Sequence, residues 1–234
     1  MKIGIIFAMQ EELDALKKHL SIENEYNIFD LNFYEENIEG VNCILVESGI
    51  GKVNAARTTQ ILIDNFKVDY IFNVGVAGGI SNNLAVGDIV IGEKLVQHDF
   101  DLTAFNHEKG FIPSVGKYID ADTYLLSIAS QTLNNIKDIN VVRGVIASGD
   151  IFCTESSMAS KINNKFNALC VEMEGASIAQ VCFLSNIPFL ILRSISDVPN
   201  NDNVITYEKF MESSAINIAN GMKEILKTLK QELE

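Results

Sequence analysis

Positive charge is scarce in this chain: 18 lysines and arginines stand against 31 aspartates and glutamates, a formal net charge of −13 over 234 residues. A surface so acidic excludes DNA, RNA or an anionic membrane as the main partner, because each of these requires a basic face. Cysteine and histidine are also sparse. The four cysteines, Cys43, Cys153, Cys170 and Cys182, form no CxxC pair, and three histidines give a structural zinc site little to build on. They read as buried thiols of a reducing, cytoplasmic compartment. No apolar run is long enough to span a bilayer: the opening MKIGIIFAM soon meets Gln10, Glu11 and Glu12. There is no internal repeat and no Pro/Gly/Ser-rich linker, so residues 1–234 read as one domain, and a hydrophobic content of 47% suffices for one sizeable core.

What is present is an alternation. Short, β-branched apolar runs recur at Ile3 to Ala8, Cys43 to Glu47, Tyr70 to Val76, Ile89 to Val96, Val141 to Ala147, Leu169 to Met173 and Phe189 to Ile195. They read as strands, several buried on both faces. Between them lie helical patterns at Glu11 to Leu20, Val53 to Phe66, Asp122 to Ile136, Ser156 to Phe166, Ala176 to Leu184 and from Tyr207 onward. The fold expected is a three-layer α/β/α sandwich, and the polar hairpin-like stretch Ile28 to Glu39 makes its central sheet mixed. Asp99 to Lys117 is an irregular segment too long for a simple connection and rich in Leu102, Phe105, Phe111, Ile112 and Pro113.

Two glycine clusters invite a nucleotide reading and fail it. GIGKVNAAR, Gly49 to Arg57, lacks the GxxxxGK[ST] spacing of a phosphate loop, with Val53 where a metal-binding hydroxyl should stand. GVAGG, Gly75 to Gly79, lacks GxGxxG spacing. Each is either a tight turn or a place where the backbone approaches a ligand closely.

The carboxylates are more informative. With Met9, Leu13, Leu16 and Leu20 defining the core face of the first helix, Glu12 falls about 60° from its centre and Glu11 nearly opposite. Glu172 and Glu174 flank Met173 where an apolar run ends, Asp197 ends the run FLILRSIS, and Arg193 is embedded in that run. A buried arginine must pair, with Glu12, Glu172 or Glu174 as partner. One pairing leaves the other acids without a reason. Acids gathered at one sheet edge raise each other's pKa and separate into a proton donor and a proton acceptor, the equipment for hydrolysing a glycosidic bond.

At these residues the chain resembles the 5'-methylthioadenosine/S-adenosylhomocysteine nucleosidases of the purine nucleoside phosphorylase superfamily. The resemblance runs through KIGIIFAMQEE, SGIGKVNAA, NVGVAGG, VGDIVI, QHDFDLTAF, ASGDIF, VEMEGASIAQVC and LRSISD, in that order. It implies a phosphorylase/hydrolase-like fold, a homodimer, an adenine nucleoside as substrate, no metal and no cofactor. By resemblance Asp197 protonates adenine N7, Glu12 activates water, and Glu174 with Met173 holds the ribose hydroxyls. Arg193 helps to hold the water, and Glu172 pairs and supports. Phe152 stacks on adenine and the Cys153 backbone reads its edge. Ala8, Met9, Ile50, Val76, Ala77, Gly78, Ser196 and Tyr207 complete the wall, and Leu102, Phe105, His107 and Pro113 reach the 5' pocket of a partner subunit.

Three positions depart from the family's common pattern: Phe7 for glycine, Val76 for serine, and Pro199 where a backbone donor to Asp197 is expected. The last two remove donors that would favour an ionised Asp197, so its pKa is expected to rise while its positioning weakens. A purine nucleoside phosphorylase would share the fold but needs arginines around phosphate, and Gln10, Glu11 and Glu12 offer none. A non-catalytic adenosyl-binding sensor would have no use for the acid, base and ribose set. His107, where tyrosine is common, sits in a stretch resembling a branch that includes enzymes acting on aminodeoxyfutalosine.

Overall fold

The computed structural model describes residues 1–18, 20, 22–136, 139–199 and 203–232. Its strands are β1 (Lys2–Phe7), β2 (Asn24–Ile28), β3 (Leu31–Ile38), β4 (Val41–Glu47), β5 (Tyr70–Gly79), β6 (Ile89–Gln97), β7 (Ile119–Asp120), β8 (Val141–Ser148), β9 (Ala168–Glu172) and β10 (Phe189–Asp197). Its helices are α1 (Gln10–Lys17), α2 (Lys52–Ile61), α3 (Thr123–Leu133), α4 (Ser156–Phe166), α5 (Gly175–Ser185) and α6 (Asn203–Glu232). Every strand and helix expected from periodicity is found within a few residues. Three details differ. The helix expected over Glu11 to Leu20 stops at Lys17, and His19 lies outside the described residues, as do 233 and 234 beyond the last helix. The end of the second helix, Leu62–Phe66, is wound as a π-turn and closes on Lys67 with φ of 53°. GVAGG is no turn: Gly75 to Gly79 continue β5 to its end.

The sheet is mixed, as expected. β5 lies between β1 and β10, parallel to both, while β2, β3 and β4 form an antiparallel meander on the far side of β1. On the other side β10 runs antiparallel to β6, β6 parallel to β8, β8 parallel to β9, and β9 returns antiparallel to the end of β5. Five of the strands therefore close on one another, a curl that periodicity alone does not encode. Helices α1, α3 and α6 pack together as one group and α2 and α5 as a second. The stripe Ala215, Ile218, Ala219, Met222, Ile225, Leu226 and Leu229 gives α6 a buried face at helical spacing. No helix among the described residues is long and apolar enough to cross a membrane.

Candidate active site

The carboxyl-terminal ends of β1, β5, β9 and β10 converge on one cleft, the place where open α/β sheets hold ligands. Its cavity volume is about 100 Å³. Its wall contains Ala8, Met9, Glu12, Ile50, Val76, Ala77, Gly78, Phe152, Cys153, Glu172, Met173, Glu174, Ser196, Asp197 and Tyr207, all expected from the sequence. It also contains Ile151 and Val171, which were not expected. Val171 could have been found, since strand alternation puts it on the same face as Met173.

Glu12 is placed by the start of α1. Its Oε2 accepts from the N–H of Ala8 at 2.9 Å and of Met9, the residue capping the helix, at 3.2 Å. This is the reciprocal half of a capping box, supplied by a glutamate at the third helical position. The Val76 N–H, at the far end of β5, donates to Oε1 at 3.0 Å. Glu12 is 3% exposed, deeper than its helical-wheel angle implies, while Glu11 is exposed. Burial raises its pKa above the ordinary carboxylate value, against the opposing pull of Arg193 and the three N–H donors.

Glu172 and Glu174 take different parts. Glu172 Oε2 accepts from the N–H groups of Glu174 (3.1 Å) and Gly175 (2.7 Å), so this carboxylate caps the open end of α5. Arg193 Nη2 reaches the same oxygen at 2.5 Å, and Ser148 Oγ bonds to Oε1 while accepting from the Ala176 N–H. The pairing required of Arg193 is thus with Glu172. Nη1 donates to the Leu192 carbonyl and Nη2 also to Asn73 Oδ1, itself tied to the Ile6 carbonyl, while the buried Nε has no hydrogen-bond partner among the described residues. Arg193 is 1% exposed and does not reach the cleft wall, so of the expected site residues in this chain's own cleft it is the one the structure sets behind the wall. Glu174 faces the cleft and accepts from the Gly51 N–H at 2.8 Å. Burial, with Glu172 beside it, pushes the Glu174 carboxyl up to about 7.

Asp197 ends β10 at a bulge. Ile195 pairs with Ala77 and Asp197 with Gly78, leaving Ser196 as the extra residue that re-aims the strand end. Asp197 is 1% exposed, and Ser196 Oγ donates to its Oδ1 at 2.8 Å. Tyr207, on α6, sets its hydroxyl 3.1 Å from Met9 Sδ and its ring edge-on to Phe152 at 5.6 Å between centroids.

The segment from Asp99 to Lys117 is held partly by its own chain. Ile112 is buried and bridges to Gly116, and His107 stacks on Phe111 at 4.9 Å. Leu102 is half-buried, His107 and Pro113 are exposed, and Phe105 is 74% exposed. None of these four lines the cleft of its own chain.

The family model of the phosphorylase superfamily matches residues 2–230. A 5'-methylthioadenosine/S-adenosylhomocysteine nucleosidase of Geobacillus sp. (strain WCH70) is 41% identical over 232 residues, which cover 99% of this chain and 100% of the relative. An S-adenosylhomocysteine nucleosidase of Streptococcus pyogenes, solved in complex with 5-methylthiotubericidin, matches with a TM-score of 0.94 and 37% identity over 98% of this chain and 97% of that one. A futalosine hydrolase of Helicobacter pylori strain 26695 matches with a TM-score of 0.92 and 35% identity over 97% of both chains. Matched over nearly its whole length in sequence and in fold, the chain belongs to the phosphorylase superfamily, among its 5'-methylthioadenosine/S-adenosylhomocysteine nucleosidases.

Proposed function

We propose that this chain hydrolyses the N-glycosidic bond of 5'-methylthioadenosine and S-adenosylhomocysteine, releasing adenine and the 5'-substituted ribose. The observation that carries the reading is the division of labour among the acids: Glu12 is held by three N–H donors, Glu174 lies open to the cleft, and Asp197 ends β10 opposite Gly78. Adenine leaves poorly as an anion. Asp197 gives a proton to N7, the C1'–N9 bond breaks with its electron pair going to the purine, and the ribose becomes oxocarbenium-like. Glu174 stabilises that charge and accepts from the ribose hydroxyls. Glu12 takes a proton from water, whose oxygen bonds to C1' from the face opposite the base and inverts that carbon. A carboxyl whose pKa burial has lifted toward the working pH suits the base.

Water is favoured over phosphate because no arginine or lysine lines the cleft among the described residues, while carboxylates do. The chain works as a cytoplasmic homodimer in which Leu102, Phe105, His107 and Pro113 close the partner's 5' pocket; the exposure of Phe105 supports this. The likeness to a futalosine hydrolase supports aminodeoxyfutalosine as a further substrate, beside 5'-deoxyadenosine. The test is adenine release from each of the four nucleosides with and without phosphate. Free ribosyl product at a phosphate-independent rate is expected, and a sugar 1-phosphate would transfer the chain to the phosphorylases.

A further inference from the structure

The turn joining β4 to α2 carries Ile50, on the cleft wall, and Gly51, whose N–H holds Glu174. Gly49 and Gly51 have φ of 80° and 101°, and α2 starts without a side-chain cap. Internally the turn has a bond from Asn54 Nδ2 to the Ile50 carbonyl. At its start the turn is tied to β1, the Ser48 N–H and hydroxyl donating to the Phe7 carbonyl at 2.8 and 3.2 Å; at its end the fastening runs through Lys52. The Lys52 N–H donates to Asp150 Oδ1 at 2.9 Å, and its ammonium lies 2.7 Å from Asp99 Oδ1 and 3.2 Å from Gln97 Oε1. The Asp150 N–H closes the ring by donating to Asp99 Oδ2 at 3.0 Å. Gln97 also donates to Gln180 at 2.6 Å, on the helix that Glu174 begins. The Lys52 and Asp99 side chains are 16% and 20% exposed, so this pair is shielded from the screening that makes surface ion pairs weak.

We infer that Lys52, clamped by Asp99 and Asp150, is a positioning residue that sets the Gly51 N–H against Glu174 and so fixes the carboxylate that grips the sugar. The inference rests on the reading of Glu174 as the ribose-hydroxyl acceptor. Asp99 is also the first residue of the segment that carries Leu102 and Phe105, so one ammonium fastens both the sugar carboxylate's support and the base of that segment.

The experiment compares kcat/KM for 5'-methylthioadenosine and its 3'-deoxy counterpart in the unmodified chain, Lys52→Met, Asp99→Asn and Glu174→Gln. The ratio of the two isolates recognition of the hydroxyl. Lys52→Met is expected to lower the preference for the hydroxylated nucleoside about tenfold, the scale of one misplaced hydrogen bond to a charged group, with the 3'-deoxy reaction slowed less because it loses only the charge stabilisation by Glu174. Asp99→Asn moves the ratio the same way by less. A general structural defect would instead slow both nucleosides alike, and that result in Lys52→Met, or an unmoved ratio, overturns the role of Lys52 when Glu174→Gln has abolished the preference. If Glu174→Gln keeps the full preference, the sugar reading falls and the role of Lys52 with it. If Lys52→Met does not fold, an unmoved ratio in folded Asp99→Asn is the overturning result.

Discussion

Gly75 and Glu12 meet so closely that a Cβ built on Gly75 would stand 2.6 Å from Glu12 Oε1. Glu12 cannot swing aside without giving up the N–H groups of Ala8, Met9 and Val76. Gly75→Ala is therefore expected to cut kcat by roughly a hundredfold, as a displacement of about 1 Å in a catalytic group can. Glu12→Gln and Asp197→Asn should each lose at least about a hundredfold, with the fold retained. Steady-state kinetics beside circular-dichroism melts check all three, and a folded Gly75→Ala chain with unchanged turnover would mean that Glu12's position is not what the reaction needs.

The ion pair of Arg193 and Glu172 has side chains 2% and 3% exposed, so solvent does not replace a lost partner. Arg193→Met should cost about 3–5 kcal/mol in urea denaturation, because it strands a buried carboxylate. Adding Glu172→Gln should cost less than the sum of the two single changes. Full additivity would show that the two residues act independently.

Glu174 makes stability depend on pH. Its carboxyl titrates at about 7 in the folded chain against an ordinary 4.5, so the folded state binds the extra proton between those values. The stability this brings is complete below 4.5 and is lost as pH rises through 7. Between about pH 5 and pH 8 the unmodified chain should lose on the order of 3 kcal/mol more than Glu174→Gln. Denaturant melts at the two pH values measure it, and equal slopes for the two chains would contradict the assignment.

Phe105 tests the proposed sharing of the pocket between subunits. An alkylthio group gains about 0.8 kcal/mol per buried methylene, so Phe105→Ala should weaken apolar 5' substituents more than the 5' hydroxyl of adenosine. Mixing Glu12→Gln with Phe105→Ala subunits should raise activity, because one heterodimer cleft then carries both lesions and the other neither. No rise, with subunit exchange demonstrated, would mean that each chain completes its own cleft.

Periodicity made the strands and helices legible because each buries an apolar face at a fixed repeat. It could not distinguish the π-turn at Leu62–Phe66, whose residues continue the same apolar pattern as α2. GVAGG allowed a turn because glycine is usually found where the backbone bends. Here Gly75 and Gly78 stay extended and lack side chains because Glu12 and Asp197 occupy that space. Arg193 was legible as a residue in need of a partner, but which glutamate it takes depends on the approach of β9 to β10's neighbours, which one strand's sequence does not state. Lys52, Asp99 and Asp150 each lie in a stretch that carries the family resemblance, but nothing in those stretches states their pairing, since it exists only once three separate segments meet.

β5 is bordered by β1, among the first residues of the chain, and by β10, among the last strands to be made. Glu12 follows the first border and Asp197 ends the second. A nascent chain on the ribosome, or one truncated before Phe189, would hold Glu12, the proposed activator of water, without Asp197, the proposed acid. Hydrolysis thus reports completed synthesis and assembly of both borders. In refolding, its return should trail the compaction of the amino-terminal meander, since the pairing of β10 with β5 closes a far longer loop.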